Sequence, residues 1–480
     1  MSSTEVDKTP TGISGLDEIL DGGFPRGSLI VLVGSPGTGK TIFSACFLYN
    51  GALNYGEKGV YVSFAEGRQV FFRNMCGLKL DFEELERRGD FLFMDMLTVR
   101  EEAVSTILEA ILREVSEIGA KRLVIDSFSA MAQALKDPNE VRVILHTILS
   151  KVSRFLGCTT LLIVEVPYGE NRFGLGIEEF VADGIIQFRR DKYEGGRFLR
   201  ALEILKMRGA PIQEANVIFT LKDGFKAFTP FRPKTIRKPS RFQPQPTIET
   251  FFSTGSPSLD EILEGGYPRG ATVLIETDEH VSLEQYSLLI TPTMWNFLVQ
   301  GRGVIIIPSP GVNPGTILRE IEEGGLTRDE ISNLLRICIK EYPGISSEPY
   351  LIALGGEDAS KDYTKYLQAE VELMAKTGQP VLNVIGVNSL VDIYGLKEAL
   401  STIGINVART REMKGLNILL LRPGYSELAR ILGVIADIHL KVVREYGAVL
   451  VYGIKPRTPL YALEIDSSRG YCLPKLTQIV

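Results

Sequence analysis

A twelve-residue segment occurs twice in this chain, and the distance between its copies limits the folds that the chain can adopt. LDEILDGGFPRG begins at Leu16, and LDEILEGGYPRG begins 243 residues later at Leu259. This period is far longer than the roughly 20–50 residues of solenoid repeats, so it indicates two copies of a whole domain. We predict one domain over residues 1–230, a linker over 231–247 and a second domain over 248–480.

The stretch between the copies has the composition of a connecting segment. Residues 227–247 include five prolines and five basic residues but no acidic residue. Such a segment favours extended backbone and is expected to bury little apolar surface. Two interpretations of its charge are open: it binds an acidic partner, or it lies along acidic flanks of its own domains.

Apolar runs alternate with helical patterns in the first copy. This alternation predicts an α/β fold, a mainly parallel sheet with helices on both faces, and antiparallel strands at its end after residue 184. A capping box formed by Thr98 and Glu101 predicts a helix to Ile118, and Asp137-Pro138 predicts the start of another. The predicted strands are Leu29–Val33, Val60–Phe64, Leu123–Asp126 and Thr159–Val166.

Composition narrows the class of protein. The net charge of −6, from 53 basic and 59 acidic residues, argues against a surface devoted to nucleic acid. Five cysteines without CxxC spacing and three distant histidines indicate neither a disulfide framework nor a zinc site. No basic segment followed by an apolar stretch opens the chain, and no apolar run has the length of a membrane span. We therefore expect a cytoplasmic protein without a membrane contact.

The sequence GSPGTGKT follows the first predicted strand and matches the phosphate-binding pattern G-x-x-x-x-G-K-[ST]. Its glycines allow backbone N–H groups to converge on phosphate oxygens, and the start of the next helix adds partial positive charge. Lys40 is expected to reach the β- and γ-phosphates of ATP, and the Thr41 hydroxyl to bind Mg²⁺. The alternative is a glycine-rich turn with a chance GKT. The residues expected to bind the nucleotide are Gly34, Ser35, Pro36, Gly37, Thr38, Gly39, Lys40 and Thr41.

Acidic residues end other predicted strands of the first copy. Asp126 closes RLVID and is the expected carboxylate for Mg²⁺, although an aspartate there also serves as a helix cap. Glu66 follows the strand VYVSF and is the expected residue that orients water for hydrolysis. The alternative for Glu66 is an exposed loop glutamate. Glu165 is a second, lower-ranked candidate for the same water.

Five ordered motifs together resemble one family. GLDEILDGGFPRGSLIVLVGSPGTGKT, VSFAEG, RLVIDS, GIEEFVADGI and LEILKMRG are similar to the KaiC-like branch of the RecA superfamily of ATPases. The similarity covers about residues 8–230, with a weaker match over 250–480. The double-domain arrangement resembles archaeal KaiC-like proteins, a group that includes the gas-vesicle regulator GvpD.

The resemblance implies two tandem RecA-like P-loop domains and a homo-oligomeric ring, usually hexameric, with ATP between neighbouring subunits. It also implies that Lys206 and Arg208, the K-x-R of LEILKMRG, act in the nucleotide site of the adjacent subunit. Without the family, these two cations are also typical of a solvated strand tip. A cation supplied in trans raises turnover roughly 10³–10⁵-fold, so assembly would activate the enzyme.

One residue departs from the family pattern. KaiC-like proteins commonly carry two adjacent glutamates after the second strand, whereas Ala65 precedes Glu66 here. If the first glutamate is the essential base, hydrolysis is weakened. We therefore predict a slow ATPase that works as a nucleotide switch.

The second copy lacks the phosphate-binding loop. Leu283 aligns with Lys40, and Glu284 aligns with Thr41. A glutamate in this position repels phosphate. Both strand-end acids are also replaced, Glu66 by Pro310 and Asp126 by Asn388, whereas the cations Lys455 and Arg457 of IKPR persist.

We predict a degenerate second domain that stabilises the ring or binds a protein partner. Autokinase activity, which the KaiC second domain carries, is not expected from a domain without this loop.

The leading hypothesis is a ring-forming regulatory ATPase with ATP and Mg²⁺ as cofactors. One alternative is a recombinase or helicase relative that contacts DNA through PYGENRFGLG, with Tyr168, Arg172 and Phe173. A second alternative is a scaffold that binds ATP without turnover.

Overall fold

A computed structural model describes residues 7–96, 104–133, 146–168, 181–246, 248–341 and 348–480. The chain forms two compact units. The first contains residues 1–230 with 446–448 and 478–480, and the second contains 231–445 and 449–477. Within the described ranges, no helix combines the length and apolar character needed to cross a membrane.

The first unit contains a nine-stranded sheet in the order β11-β10-β9-β8-β3-β7-β6-β4-β5. Strands β8, β3, β7, β6, β4 and β5 are parallel, and β9, β10 and β11 continue the sheet antiparallel. This arrangement confirms the predicted α/β fold. The strands are β1 Lys8–Thr9, β2 Phe24–Pro25, β3 Leu29–Gly34, β4 Gly59–Ser63, β5 Phe91–Asp95, β6 Arg122–Asp126, β7 Thr159–Glu165, β8 Gly184–Tyr193, β9 Arg197–Met207, β10 Asn216–Thr220 and β11 Lys226–Phe228, of which β1 and β2 form a separate pair.

Helices cover both faces of this sheet because its central strands are apolar on both sides. Ile30 and Leu32 of β3 pack with helices Lys40–Tyr55 and Arg68–Cys76, whereas Val31 faces helix Val104–Ile118 on the other side. The remaining helices in the described part of this unit are Leu16–Ile19, Phe82–Arg87, Phe128–Gln133, a π-helical segment Ile148–Phe155 and a 3₁₀ turn Glu194–Gly196. Thr98, Glu101 and the predicted helix start at Asp137 lie outside the described residues.

The second unit repeats this topology. Its ten-stranded sheet has the order β17-β16-β15-β18-β19-β14-β20-β21-β22-β23, which matches the first sheet strand for strand and adds β17 at one edge. The strands are β12 Phe251–Phe252, β13 Tyr267–Pro268, β14 Thr272–Thr277, β15 Val304–Ile307, β16 Leu335–Lys340, β17 Leu351–Leu354, β18 Leu382–Gly386, β19 Leu416–Leu421, β20 Ile438–Glu445, β21 Ala448–Lys455, β22 Tyr461–Asp466 and β23 Leu473–Gln478, of which β12 and β13 form a separate pair.

Eight helices of the described residues accompany the second sheet. They are Pro257–Ile262, Leu283–Val299, Pro314–Glu323, Arg328–Leu334, Ala359–Thr377, Val387–Tyr394, Leu396–Glu412 and Ser426–Ile435. The main apolar core lies between the sheet and helix Leu283–Val299, which follows β14 as Lys40–Tyr55 follows β3.

The predicted linker is not a free connection. Residues from Phe231 onward belong to the second unit. Phe242 is buried in that unit's core and packs against the rings of Trp295 and Tyr471. Arg241 forms an ion pair with Glu330 at 2.5 Å. Proline content predicted the extended backbone, but it did not predict that one aromatic side chain anchors the segment.

A buried arginine fixes the start of β6, the strand that ends at Asp126. The Arg122 side chain is fully buried, and its Nε donates to Glu57 Oε2 at 2.8 Å and its Nη1 to the Phe47 carbonyl oxygen at 2.7 Å. Gly51 makes room for it, because a Cβ at that position would lie 2.3 Å from Arg122 Nε. The bond to Phe47 therefore ties β6 to helix Lys40–Tyr55, and the ion pair with Glu57 ties it to the residues just after that helix. These two elements carry Asp126 and the phosphate-loop lysine.

We expect Glu57→Gln to destabilise the protein by about 3 kcal/mol, because it leaves a buried guanidinium without its neutralising carboxylate. The measurement is the free energy of unfolding in urea, followed by circular dichroism. Glu117→Gln is the control, because it removes an exposed pair with Arg113 and should change stability by less than about 0.5 kcal/mol. Equal effects of both variants would contradict an anchoring role for Arg122.

Candidate nucleotide site

The phosphate-loop sequence forms a tight turn at the carboxyl end of the central strand β3. The strand ends at Gly34, and the next helix begins at Lys40. Gly37 and Gly39 adopt φ values of 76° and 107°, which only glycine adopts without strain. Because Gly39 is the N-cap of the helix and has no side chain, the helix begins with its N–H groups open to a ligand.

Lys40 lies across the inside of this loop. Its Nζ donates to the carbonyl oxygens of Gly34 at 2.7 Å and Ser35 at 3.0 Å. Burial lowers the pKa of the Lys40 ammonium, and the carboxylates of Glu165 and Asp126 act in the opposite direction. The ammonium is thus held by neutral carbonyl groups, which an anionic phosphate can replace with a stronger charge-assisted contact.

Thr41 and Asp126 lie side by side. The Thr41 hydroxyl donates to Asp126 Oδ2 at 2.8 Å, and the buried Tyr61 hydroxyl donates to the same oxygen at 2.5 Å. Asp126 is only 5% exposed. A threonine hydroxyl next to a strand-end carboxylate is a donor set that suits Mg²⁺, which prefers oxygen ligands.

Glu66 lies near this pair, in the turn after β4. Its backbone N–H and carbonyl both bond to the Ser63 hydroxyl, at 3.1 and 2.7 Å, and Asn74 Nδ2 lies 3.4 Å from its carboxylate. Burial raises the pKa of Glu66, and the negative charge of Asp126 raises it further. A half-buried carboxylate with a raised pKa is a suitable proton acceptor.

Glu165 ends β7 beside the loop. It pairs in register with Gly34, its side chain is exposed, and its backbone N–H bonds to the Ser129 hydroxyl at 2.8 Å. Glu165 therefore lies at the same sheet edge as Lys40, on the solvent side.

Lys206 and Arg208 lie at the opposite edge of the sheet. Met207, between them in sequence, pairs with Gly184, which pairs with Ile30 at the beginning of β3. The phosphate loop starts four residues farther along β3, roughly 13 Å away at 3.3 Å per residue. Arg208 forms an ion pair with Asp183 at 3.6 Å. The structure therefore does not bring these two cations to the site of their own chain.

Sequence reasoning missed three residues that contact the site. Tyr61 holds Asp126, as described above. Arg200 of β9 donates from Nη1 to the carbonyl oxygens of Gly37 at 3.1 Å and Thr38 at 3.3 Å. The Tyr168 hydroxyl donates to the Pro36 carbonyl oxygen at 2.7 Å.

Of these three residues, only Tyr61 could have been placed near the site from the sequence. The alternation of side chains along a strand turns Tyr61 toward helix Lys40–Tyr55. The sequence places Tyr168 in a candidate DNA-binding loop. The other residues named for that loop, Arg172 and Phe173, lie outside the described residues.

The equivalent helix of the second unit begins differently. Its N-cap is Ser282, with φ −79° in place of the left-handed Gly39. Ser282 and Gln285 form a capping box, in which the Gln285 side chain accepts from the Ser282 N–H at 2.9 Å. Two of the N–H groups at this helix start, those of Ser282 and Gln285, are therefore satisfied by the chain itself.

The strand-end acid is also absent from the second unit, but the alignment that predicted Asn388 in its place was wrong. In the first sheet, the strand register pairs Ile125 with Leu162 and Leu162 with Val31. The equivalent series of strand pairs in the second sheet ends at Ile385, which is therefore the counterpart of Ile125. The counterpart of Asp126 is therefore Gly386, the last residue of β18. Asn388 lies in the following helix and donates to the Arg422 carbonyl oxygen at 3.1 Å.

Comparisons with known proteins agree with this geometry. The family model for the KaiC ATPase matches residues 9–227, and the model for GvpD basic region 2 matches residues 241–331. A UPF0273 protein of Aeropyrum pernix is 37% identical over 218 residues, which are 42% of this chain and 86% of that protein. The circadian clock oscillator protein KaiC of Thermostichus vulcanus is 31% identical over 283 residues, 57% of this chain and 52% of that protein.

A crystal structure of a KaiC-like protein from Pyrococcus horikoshii is 36% identical, with a TM-score of 0.42, and covers 47% of this chain and 100% of that one. The chain spans about half the length of the curated KaiC proteins that it matches. The match to most of the UPF0273 protein, together with the match of the KaiC model to residues 9–227, shows that this chain belongs to the KaiC-like family of ATPases.

Proposed function

We propose that the first unit binds ATP with Mg²⁺ and hydrolyses it slowly, and that the second unit binds no nucleotide. The observation that carries this proposal is the contrast between the two helix starts. The helix at Lys40 begins with open N–H groups, whereas the helix at Leu283 begins with a closed capping box.

Each residue of the first site has a role that follows from its contacts. Lys40 exchanges the carbonyl oxygens of Gly34 and Ser35 for phosphate oxygens. Thr41 and Asp126 would hold Mg²⁺, which neutralises charge on the phosphates. Tyr61 fixes the orientation of the Asp126 carboxylate through its hydrogen bond. Glu66 orients water and accepts its proton, which its raised pKa favours.

We further propose that Lys206 and Arg208 complete the site of a neighbouring copy. Both lie at the sheet edge remote from their own loop, so a head-to-tail contact is the arrangement that joins them to a nucleotide. Repetition of a head-to-tail contact generates a ring, and a hexamer is the form expected from the family resemblance. Hydrolysis then depends on assembly.

The proposed role of the whole chain is regulatory, with the nucleotide state of the ring passed to a protein partner through the second unit. Turnover without DNA distinguishes this proposal from a recombinase-type function, which predicts stimulation by single-stranded DNA with a steep salt dependence. A scaffold without turnover would give background phosphate release in every variant described below.

We expect Lys40→Met to weaken ATP binding by roughly 10- to 100-fold, because it removes a charge-assisted contact to phosphate. Leu283→Met is the matched control at the equivalent position of the second unit, and it should leave the affinity unchanged. The measurement is titration with a fluorescent ATP analogue in the presence of Mg²⁺. Loss of affinity in the second variant would contradict a single nucleotide site per chain.

We expect Glu66→Gln to lower phosphate release on the order of 10²-fold or more while ATP affinity stays within about twofold, since the amide cannot accept the proton of water. Steady-state ATPase assays and the same titration provide the measurement. Glu165→Gln should lower the rate much less. The reverse order of the two variants would assign the base to Glu165.

We expect Arg208→Ala and Lys40→Met proteins to be inactive alone and active when mixed. A subunit with Arg208→Ala keeps its own ATP site and receives Arg208 from a Lys40→Met neighbour. Random mixing at equal amounts completes about a quarter of the interfaces, so roughly a quarter of the wild-type rate should return. An inactive mixture whose subunits demonstrably exchange would rule out the contribution in trans.

A further inference from the structure

Residues 478–480, which we call the tail segment, are bonded to the end of strand β10 in the first unit. The Thr220 hydroxyl donates to the Gln478 carbonyl oxygen at 2.7 Å and accepts from the Val480 N–H at 3.3 Å. Thr220 is fully buried, and Ile479 is only 6% exposed. The tail segment is therefore packed against β10 and held there by two hydrogen bonds.

The end of β10 also lies against the phosphate loop. A Cβ on Gly39 would lie 3.2 Å from Leu221 Cδ1 and 3.5 Å from Phe219 Cε2. Thr220 lies between these two residues in sequence, and its hydroxyl bonds to the tail segment. The same short stretch of chain thus contacts the loop with its neighbours' side chains and the tail segment with its own.

Arg200 joins the tail segment to the loop directly. Its Nε donates to the Val480 carbonyl oxygen at 2.5 Å, and its Nη1 donates to the carbonyl oxygens of Gly37 at 3.1 Å and Thr38 at 3.3 Å. An arginine side chain stays charged at neutral pH and donates in a fixed planar geometry. One guanidinium group therefore sets the distance between Val480 and two peptide groups of the loop.

The direction of these two peptide groups matters for phosphate. Both are trans, and in a trans peptide the C=O and the N–H point to opposite sides. Because Arg200 holds the carbonyl oxygens of Gly37 and Thr38, the N–H groups of Thr38 and Gly39 point away from it. The Thr38 N–H makes a long hydrogen bond of 3.4 Å to the Ser35 carbonyl oxygen. Backbone N–H groups of such a loop surround the α- and β-phosphates of a nucleotide.

The second unit has no arginine at the equivalent position. Alignment of the K-x-R of LEILKMRG with that of IKPR places Val449 opposite Arg200. The helix after the central strand of that unit begins with a capping box in place of the loop. The arginine is thus present only in the unit that has a loop to orient.

We propose that Arg200 is a positioning residue for the phosphate loop and that the tail segment holds it in place, so that residues 478–480 set the affinity of the first unit for nucleoside di- and triphosphates. The inference rests on the proposed binding of ATP and adds a means of regulating it. Leu473–Gln478 is the last strand of the second sheet, so the tail segment is covalently continuous with the second unit. Displacement of the tail segment would release Arg200 and weaken nucleotide binding.

The first test is Arg200→Gln in the full chain. It should weaken ATP and ADP binding equally, by roughly 10-fold, because the charged hydrogen bonds are lost and the α- and β-phosphates are common to both nucleotides. In ATPase assays the KM for ATP should rise by a similar factor while kcat stays within about twofold, since the loop binds phosphate and does not activate water. Fluorescent-nucleotide titration with competition by ATP and ADP measures the affinities.

The second test removes residues 478–480, which should weaken both nucleotides by about fivefold or more. Combined with Arg200→Gln, the deletion should stay within about twofold of Arg200→Gln alone, because the two changes break one connection. Thr220→Val loosens the tail segment without shortening the chain and should act in the same direction. It decides the result if the shortened chain does not fold.

Arg190→Gln is the matched control. Arg190 pairs with Arg200 across the sheet, and its guanidinium lies over the Phe198 ring, 4.1 Å from the centroid. Its replacement should change nucleotide affinity by less than about twofold, as expected for an exposed charge.

Fully additive losses, or wild-type affinity in both the shortened chain and Thr220→Val, would overturn the role of the tail segment. Weaker binding of ATP with unchanged binding of ADP would overturn the orienting role of Arg200. A wild-type chain that binds no ATP would overturn the proposed function and this inference with it. ATP binding that none of these variants alters, but that Lys40→Met weakens, would overturn this inference alone.

Discussion

The start of the helix after the central strand is the constraint on which the rest of this protein depends. The first N–H groups of any helix lack partners within the helix and must find them elsewhere. In the first unit, glycines with positive φ leave these groups open, and Lys40 stands beside them on carbonyl oxygens. In the second unit, the side chains of Ser282 and Gln285 satisfy two of the corresponding groups, the N–H groups of Gln285 and Ser282. The same sheet topology thus supports two different helix starts, one that is open to a bound anion and one that is capped by the chain's own side chains.

Much of this arrangement could be predicted from the sequence, because the signals are local. The phosphate loop, the strand-end Asp126 and the alternation of apolar runs with helices all follow from short patterns. The register of distant strands does not, so Asn388 was assigned to a place that Gly386 holds. The burial of Phe242 was also missed, because a proline-rich composition describes backbone stiffness and carries no information on one aromatic anchor. Tyr61 was overlooked for a related reason: its partner Asp126 is 65 residues away in sequence.

Duplication followed by loss explains why the second unit keeps a complete sheet but none of the residues that we propose to hold a triphosphate in the first. The order of strands is unchanged and the apolar core is large, so fold stability does not require the site. The two units therefore share a sheet topology but differ at the start of the helix that follows the central strand.

The central claim is that only the first unit holds nucleotide and metal. The most direct measurement is a crystal structure with Mn²⁺ and a non-hydrolysable ATP analogue, with anomalous differences recorded to locate the metal. We predict one strong peak per chain, between Thr41 Oγ1 and the Asp126 carboxylate, with the phosphates on the N–H groups of residues 37–41. A metal or triphosphate beside Leu283 and Gly386, or an empty loop at Lys40 under saturating nucleotide, would contradict the account.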